Sequence, residues 1–273
     1  PRRVRPLMLI RWTRILLQAM RPLQLAALLT VIVTGGLLLF ATSDLPDWGD
    51  PLSPANASDL STYYIQDSRD VTEVPNLVTA VLADYRGYDT MFETVVIFVA
   101  GLGILSILGQ GKCEEPLAQP VASEQNRERD MITIITCRLV VPIIQIFALY
   151  VIAHGHYSPG GGFQGGVMLG ASFILIALTS GLPDALKRMS QERAIFLAGL
   201  GVLIYAGTGL VCMALGRNFL DYEILHKLMG GTGVKARYDS MLIVEIGVAF
   251  TVMAIMFIIY AVLSSKGRMR GGL

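Results

Sequence analysis

Charge is what this sequence has little of. Only 16% of its 273 residues are Asp, Glu, Lys or Arg, against about a quarter in an ordinary soluble domain, which excludes a soluble globular protein of average make-up. Cysteine is scarce too. Cys113, Cys137 and Cys212 stand on separate segments without Cys-x-x-Cys spacing, so there is neither a disulfide framework nor a cysteine metal motif. Cys137 and Cys212 fall within apolar runs and read as small hydrophobes. There is no His-Glu-x-x-His, no complete phosphate-binding loop and no dinucleotide fingerprint. Gly101-Leu102-Gly103 lacks the third glycine, and no Lys-Ser/Thr follows the glycines of 160–166. A catalytic nucleophile needs a base beside it, and Ser106 and the histidines His154 and His156 fall on different spans at opposite sides of the membrane. The reading is a chain with no catalysis of its own, no bound cofactor, no metal and no nucleic-acid partner.

Apolar residues fill the space that charge leaves. They make up 53% of the chain, and several runs reach the roughly 20 residues that span a bilayer core about 30 Å thick. The fold class expected is all-α: a polytopic membrane protein with about six transmembrane helices. The spans fall at about Leu23–Ala41, Phe92–Leu108, Ile132–Ala153, Phe163–Thr179, Ala194–Leu215 and Ser240–Leu263. Between the first two, Pro75–Ala83 is apolar but too short to cross, which predicts a short lateral or re-entrant helix.

Charges are segregated along this framework. Residues 1–21 carry six arginines and no acid and read as a basic cytoplasmic amphipathic segment. The first apolar run is long enough to be retained as a span, without a clean cleavage site after it. Residues 42–75 form an acidic outer loop, 111–130 a polar cytoplasmic linker and 264–273 a basic cytoplasmic tail. Lys187, Arg188 and Arg193 fall on the same side as both ends, as the positive-inside rule requires. The linker divides the chain into a two-span unit (22–110) and a four-span unit (131–263). The expected location is the cell inner (plasma) membrane, multi-pass, with both termini cytoplasmic.

Ionisable residues inside a membrane are costly and are functional candidates by default. Glu245 falls about a turn inside the sixth span. Glu93 begins the second, preceded by Asp84, Arg86 and Asp89. A carboxylate of this kind can exchange a proton or hold sodium; the competing reading is an ion pair, Glu245 or Glu93 with Arg138 or Arg86. Arg138 and Gln145, seven apart, share one face of the third span, and Pro142 between them removes a backbone hydrogen bond and kinks the helix.

The junction His154-Gly155-His156-Tyr157-Ser158-Pro159-Gly160-Gly161-Gly162-Phe163-Gln164-Gly165-Gly166 separates two lipid-like runs. Irregular backbone there must be buried in protein or line water. Two residues apart and with no third ligand nearby, the histidines read as surface residues of a turn. Gly160–Gly162 supply conformational freedom, while Gly162, Gly166 and Gly170 recur every four residues, the pattern of a close helix–helix contact.

This junction resembles the signature of the B subunit of Mrp-type (Mnh-type) multisubunit sodium/proton antiporters, and residues 131–263 are similar to the whole of that protein. Asn76-Leu77-Val78-Thr79-Ala80-Val81-Leu82-Ala83-Asp84-Tyr85-Arg86-Gly87-Tyr88-Asp89-Thr90-Met91-Phe92-Glu93 is similar to the C-terminal segment of the family's large A-type component, and to a separate subunit of membrane-bound hydrogenases and sulfane reductases. One departure is Phe92, where the family usually has glycine. The resemblance implies a fused subunit in a large complex that moves Na+ and H+, with other antiporter-type membrane subunits and lipid as partners. It leaves open a redox-driven, hydrogenase-like respiratory complex with iron–sulfur and nickel subunits. It also implies that Glu93, with Asp84, Arg86 and Asp89 as its polar entrance, lies in the region of the cation path; Glu245 is a second candidate. The alternative role is a scaffold that seals and braces ion-pumping neighbours, its buried charges being ion pairs.

Overall fold

The computed structural model describes residues 22–108 and 131–265. The basic N-terminal segment, the linker and nearly all of the basic tail lie outside the described residues. The described residues are mostly helical and include no strand, with six helices long and apolar enough to cross a membrane: α1 (Pro22–Ala41), α2 (Gly87–Leu108), α3 (Met131–Ala153), α4 (Gly162–Ser180), α5 (Gln191–Ala214) and α6 (Gly233–Ser264). All six expected spans are present. The chain forms two compact units, residues 1–61 and 62–273.

In the first unit, α1 is apolar on every side and none of its residues is buried, as suits a helix that lipid or protein covers. The Thr42 and Ser43 hydroxyls donate to the Leu39 and Phe40 carbonyls and close its last turn.

The second unit is built around α6. Its 32 residues give a rod of about 48 Å, longer than a bilayer core of about 30 Å, so its polar first turns continue beyond the apolar body of the helix. Along that body α6 packs against α4, α5 and α2, while α3 lies on α4. The close approach comes from glycine. A methyl group on Gly162, Gly166 or Gly170 would lie 1.9 Å, 2.9 Å and 3.1 Å from the backbone oxygens of Glu245, Ala249 and Met253 respectively. The four-residue stripe of α4 therefore fits a four-residue stripe of α6 backbone, as its spacing predicts. Gly201 of α5 meets Gly247 in the same way, and Gly101 of α2 receives the Ile255 side chain. The core filled by Val244, Val248, Val252, Ile255 and Ile258 follows from these contacts.

Two helices begin earlier than the apolar pattern suggests. α2 starts at Gly87 instead of Phe92, because the charged stretch before the apolar run is its first turn: Asp89 sits there, favourable to the helix dipole, and pairs with Arg86. α6 starts at Gly233 instead of Ser240; the Thr232 hydroxyl accepts from the Lys235 N–H and caps it. The short apolar stretch is a helix, Leu77–Ala80, capped by Asn76 and running into one π-helical turn, Val81–Tyr85. The Thr90 hydroxyl donates to the Leu82 carbonyl at 2.8 Å and satisfies backbone freed by that turn.

Candidate functional site: a carboxylate cavity where two distant segments meet

Asn76 joins the two most distinctive stretches of the sequence. Its backbone N–H donates to the His156 carbonyl (3.0 Å), and its side-chain amide donates to the carbonyls of Gly155 and Ser158 (2.9 Å each). The Thr79 hydroxyl adds a bond to the Gly155 carbonyl at 2.8 Å. The lateral helix is thus pinned to the glycine-rich junction, and polar backbone that lipid would not tolerate is satisfied by protein.

Between them opens a cavity of about 290 Å³. Thr79, Thr90, Glu93 and Thr94 line it from the first stretch, Gly160, Gly162 and Gln164 from the second, and Tyr205 and Glu245 from α5 and α6. Glu245 rests on the junction itself: a methyl group on Gly155 would be 2.9 Å from Oε2, and one on Gly161 would be 3.0 Å from Oε1. Gly161 has φ +112°, a conformation that an L side chain strains to adopt. The glycines therefore do two things, turning the chain and leaving room for a carboxylate. Glu245 Oε2 is buried and makes no hydrogen bond within the described chain. The buried hydroxyl of Tyr205, which lies near Gly87, is also unpartnered. Glu93 lines the same cavity but is exposed on the surface of this chain.

The other charged residues of the lateral segment are placed differently. Asp84 is almost wholly buried, and Arg237 donates to both of its oxygens, at 3.1 and 2.9 Å. Arg237 also reaches Asp221 at 3.3 Å and Glu223 at 3.7 Å. Burial raises the Asp84 carboxyl above its ordinary value, and the Arg237 charge offsets part of that rise. Arg86 and Asp89 pair with each other on the exposed side of the turn. Neither glutamate of the cavity pairs with Arg138 or Arg86. Arg138 and Gln145 line a second cavity at the opposite end of the bundle, where α4 ends.

Sequence reasoning missed Arg237, which falls before Ser240, where the sixth span was expected to begin. The available signal was helical periodicity: Arg237, Met241, Val244 and Val248 follow the i, i+4, i+7, i+11 spacing of one face. Nor is His156 a surface residue. It is 2% exposed, its ring centroid lies 4.3 Å from that of Tyr238, and its Nε2 has no partner. Burial lowers its pKa below the ordinary 6.5, and Asp239 opposes the shift. Among the described residues no three His, Cys, Asp or Glu side chains converge as a metal site would require.

A multi-pass helical membrane protein with a carboxylate-bearing cavity at one end of its bundle is the class this fold defines. Residues 132–258 match the family described as the domain related to the MnhB subunit of Na+/H+ antiporters, and residues 50–124 match the family of the E-type subunit of MBH. The chain is 30% identical over 144 residues to the putative antiporter protein mnhB2 of Staphylococcus aureus, covering 97% of that protein and 52% of its own length. It is 29% identical over 209 residues to an uncharacterized protein of Methanocaldococcus jannaschii, covering 73% of it. A probable K+/H+ antiporter protein of the combined A/B type from Rhizobium meliloti is 24% identical over 242 residues, and the chain spans about a quarter of its length (23%). Among solved structures, a chain of the archaeal membrane-bound sulfane sulfur reductase superposes with TM-score 0.58 at 26% identity, over 86% of this chain and 97% of that one. The Mrp complex of a Dietzia species shares the fold, with TM-score 0.64 over 93% of this chain and 27% of its own. The chain belongs to the MnhB family. It is a membrane subunit of the antiporter-type complexes to which that family relates.

Proposed function

We propose that this protein takes part in Na+/H+ translocation through the cavity shared by Glu93 and Glu245. The observation that carries the reading is Glu245: a carboxylate well inside the apolar helix α6, held on glycine backbone, with an oxygen that no donor among the described residues satisfies. A buried carboxyl without a partner is costly unless it binds a proton or a cation. The Tyr205, Thr90 and Thr94 hydroxyls and the Gln164 amide around it supply oxygen atoms that suit a hard cation such as Na+. Glu93, exposed on this chain, faces where a neighbouring subunit or water must sit, and would pass the ion or proton between that neighbour and Glu245. Asp84, Arg237, Asp221 and Glu223 then hold the lateral helix in register and act as positioning groups. The driving assembly is a set of other membrane subunits, either an exchanger or a redox-driven complex with iron–sulfur and nickel partners. In both settings this chain binds no cofactor. The N- and C-termini lie on the cytoplasmic side of the plasma membrane in this reading.

The scaffold reading predicts a different failure. With Glu93→Gln or Glu245→Gln, the translocation reading expects an intact complex on a native gel and loss of Na+-dependent proton movement. Loss of the complex itself, or intact transport by both variants, overturns it.

A further inference from the structure

At the opposite end of the bundle a cavity of about 470 Å³ opens between α3, the end of α4 and the short helix Leu182–Arg188. That volume falls within the roughly 300–1,000 Å³ of small-molecule sites. Its lining is layered by depth. Lys187 and Arg188 come from the short helix after α4, and Arg138 lies two turns into α3. Val141, Pro142 and Ile176 follow one turn further in, and Gln145 lies about 10 Å deeper than Arg138 along α3.

The charge is lopsided. Asp184 is the acid in the lining, and Lys187 engages it at 2.9 Å. Arg138 and Arg188 form no ion pair with any described residue. An arginine seven residues into an apolar span is costly there without a counter-charge. Beside it, Leu139, Ile143 and Ile146 form an exposed apolar stripe on the adjoining face of α3, running from the cations toward the membrane centre. A cationic rim continuous with an apolar stripe matches an acidic headgroup joined to acyl chains, and basic clefts between transmembrane helices bind such headgroups.

We propose that this cavity binds the phosphate of an anionic phospholipid, with the Arg138 and Arg188 guanidinium forks on the phosphate oxygens and an acyl chain along Leu139, Ile143 and Ile146. Inorganic phosphate offers the same oxygens but has no use for the stripe. The test is native mass spectrometry of the whole purified complex, wild type against Arg138→Gln, Arg188→Gln and Arg138→Lys. Thermal melting with added phosphatidylglycerol, phosphatidylcholine or inorganic phosphate accompanies it. The wild-type complex should retain one more phosphatidylglycerol per copy of the chain than either glutamine variant, with Arg138→Lys in between, and phosphatidylglycerol alone should raise its melting temperature. Arg188→Gln, on an exposed short helix, keeps the test sound if Arg138→Gln fails to assemble. Equal lipid retention in Arg188→Gln and wild type, or a stabilisation that inorganic phosphate reproduces, overturns the proposal.

Discussion

Glu245 and the three glycines around it form a steric unit. Gly162 has no room for a methyl group, since one would lie 1.9 Å from the Glu245 backbone oxygen, and backbone cannot swing away as a side chain would. Gly162→Ala should therefore destabilise the folded chain by about 1–3 kcal/mol or more, the cost of overpacking, measured as a lower melting temperature of the purified complex. Gly103→Ala, with nothing within 4 Å of the added methyl and a helix interior that favours alanine, should not lower that temperature and serves as the control. His156 gives a pH signature at the same scale. Its folded-state pKa lies below the ordinary 6.5 because of burial, so the unfolded chain binds more protons than the folded one as pH falls through that value. Stability from this group is present above pH 6.5 and lost below it. The fall in melting temperature between neutral and mildly acidic pH should accordingly be smaller in His156→Gln than in wild type; an identical fall would show that His156 titrates normally.

The π-turn that follows the lateral helix is tied to α6 by the Asp84–Arg237 pair, which Asp221 and Glu223 extend. Truncating one partner of a buried pair commonly costs about 3–5 kcal/mol, and Arg237→Gln strands Asp84, which is almost wholly buried. Because burial already raises Asp84 and Arg237 opposes the rise, removing the arginine favours the protonated acid. The folded variant then binds more protons than its unfolded chain, and its stability falls as pH rises above the ordinary carboxylate range. The loss caused by Arg237→Gln should thus be greater at alkaline than at mildly acidic pH, read by melting curves of the complex. At this scale the sequence was legible where hydrophobicity alone decides: six apolar runs became six helices, and the 162–166–170 glycine repeat became a packing face. It was misleading at Gly87–Met91 and Gly233–Asp239, where charged first turns of helices look like loops. It was silent on the contact between Glu245 and the junction. That contact joins residues far apart in the chain, and no local pattern encodes it. The Arg237–Asp84 pair was equally hidden, being set by how far α6 extends before its apolar face begins.

The surface of the whole chain is that of a component. Glu93 is exposed near the start of α2, and large apolar side chains such as Leu139, Ile143, Phe196 and Leu203 face outward. Lipid can cover the apolar faces, but a carboxylate needs water or a protein neighbour. Purification through a tag on this chain should therefore recover other antiporter-type membrane subunits in fixed ratio. The two segments that resemble separate proteins elsewhere meet here through Asn76 and Thr79, so their joining in one chain keeps a shared cavity together. The most direct measurement is the initial rate of Na+-driven proton movement in vesicles holding equal amounts of assembled complex, for wild type, Glu245→Gln and Glu245→Asp. The account predicts that Glu245→Gln falls to the level of empty vesicles and that Glu245→Asp, which keeps the carboxylate, recovers part of the rate. A wild-type rate in Glu245→Gln would contradict it.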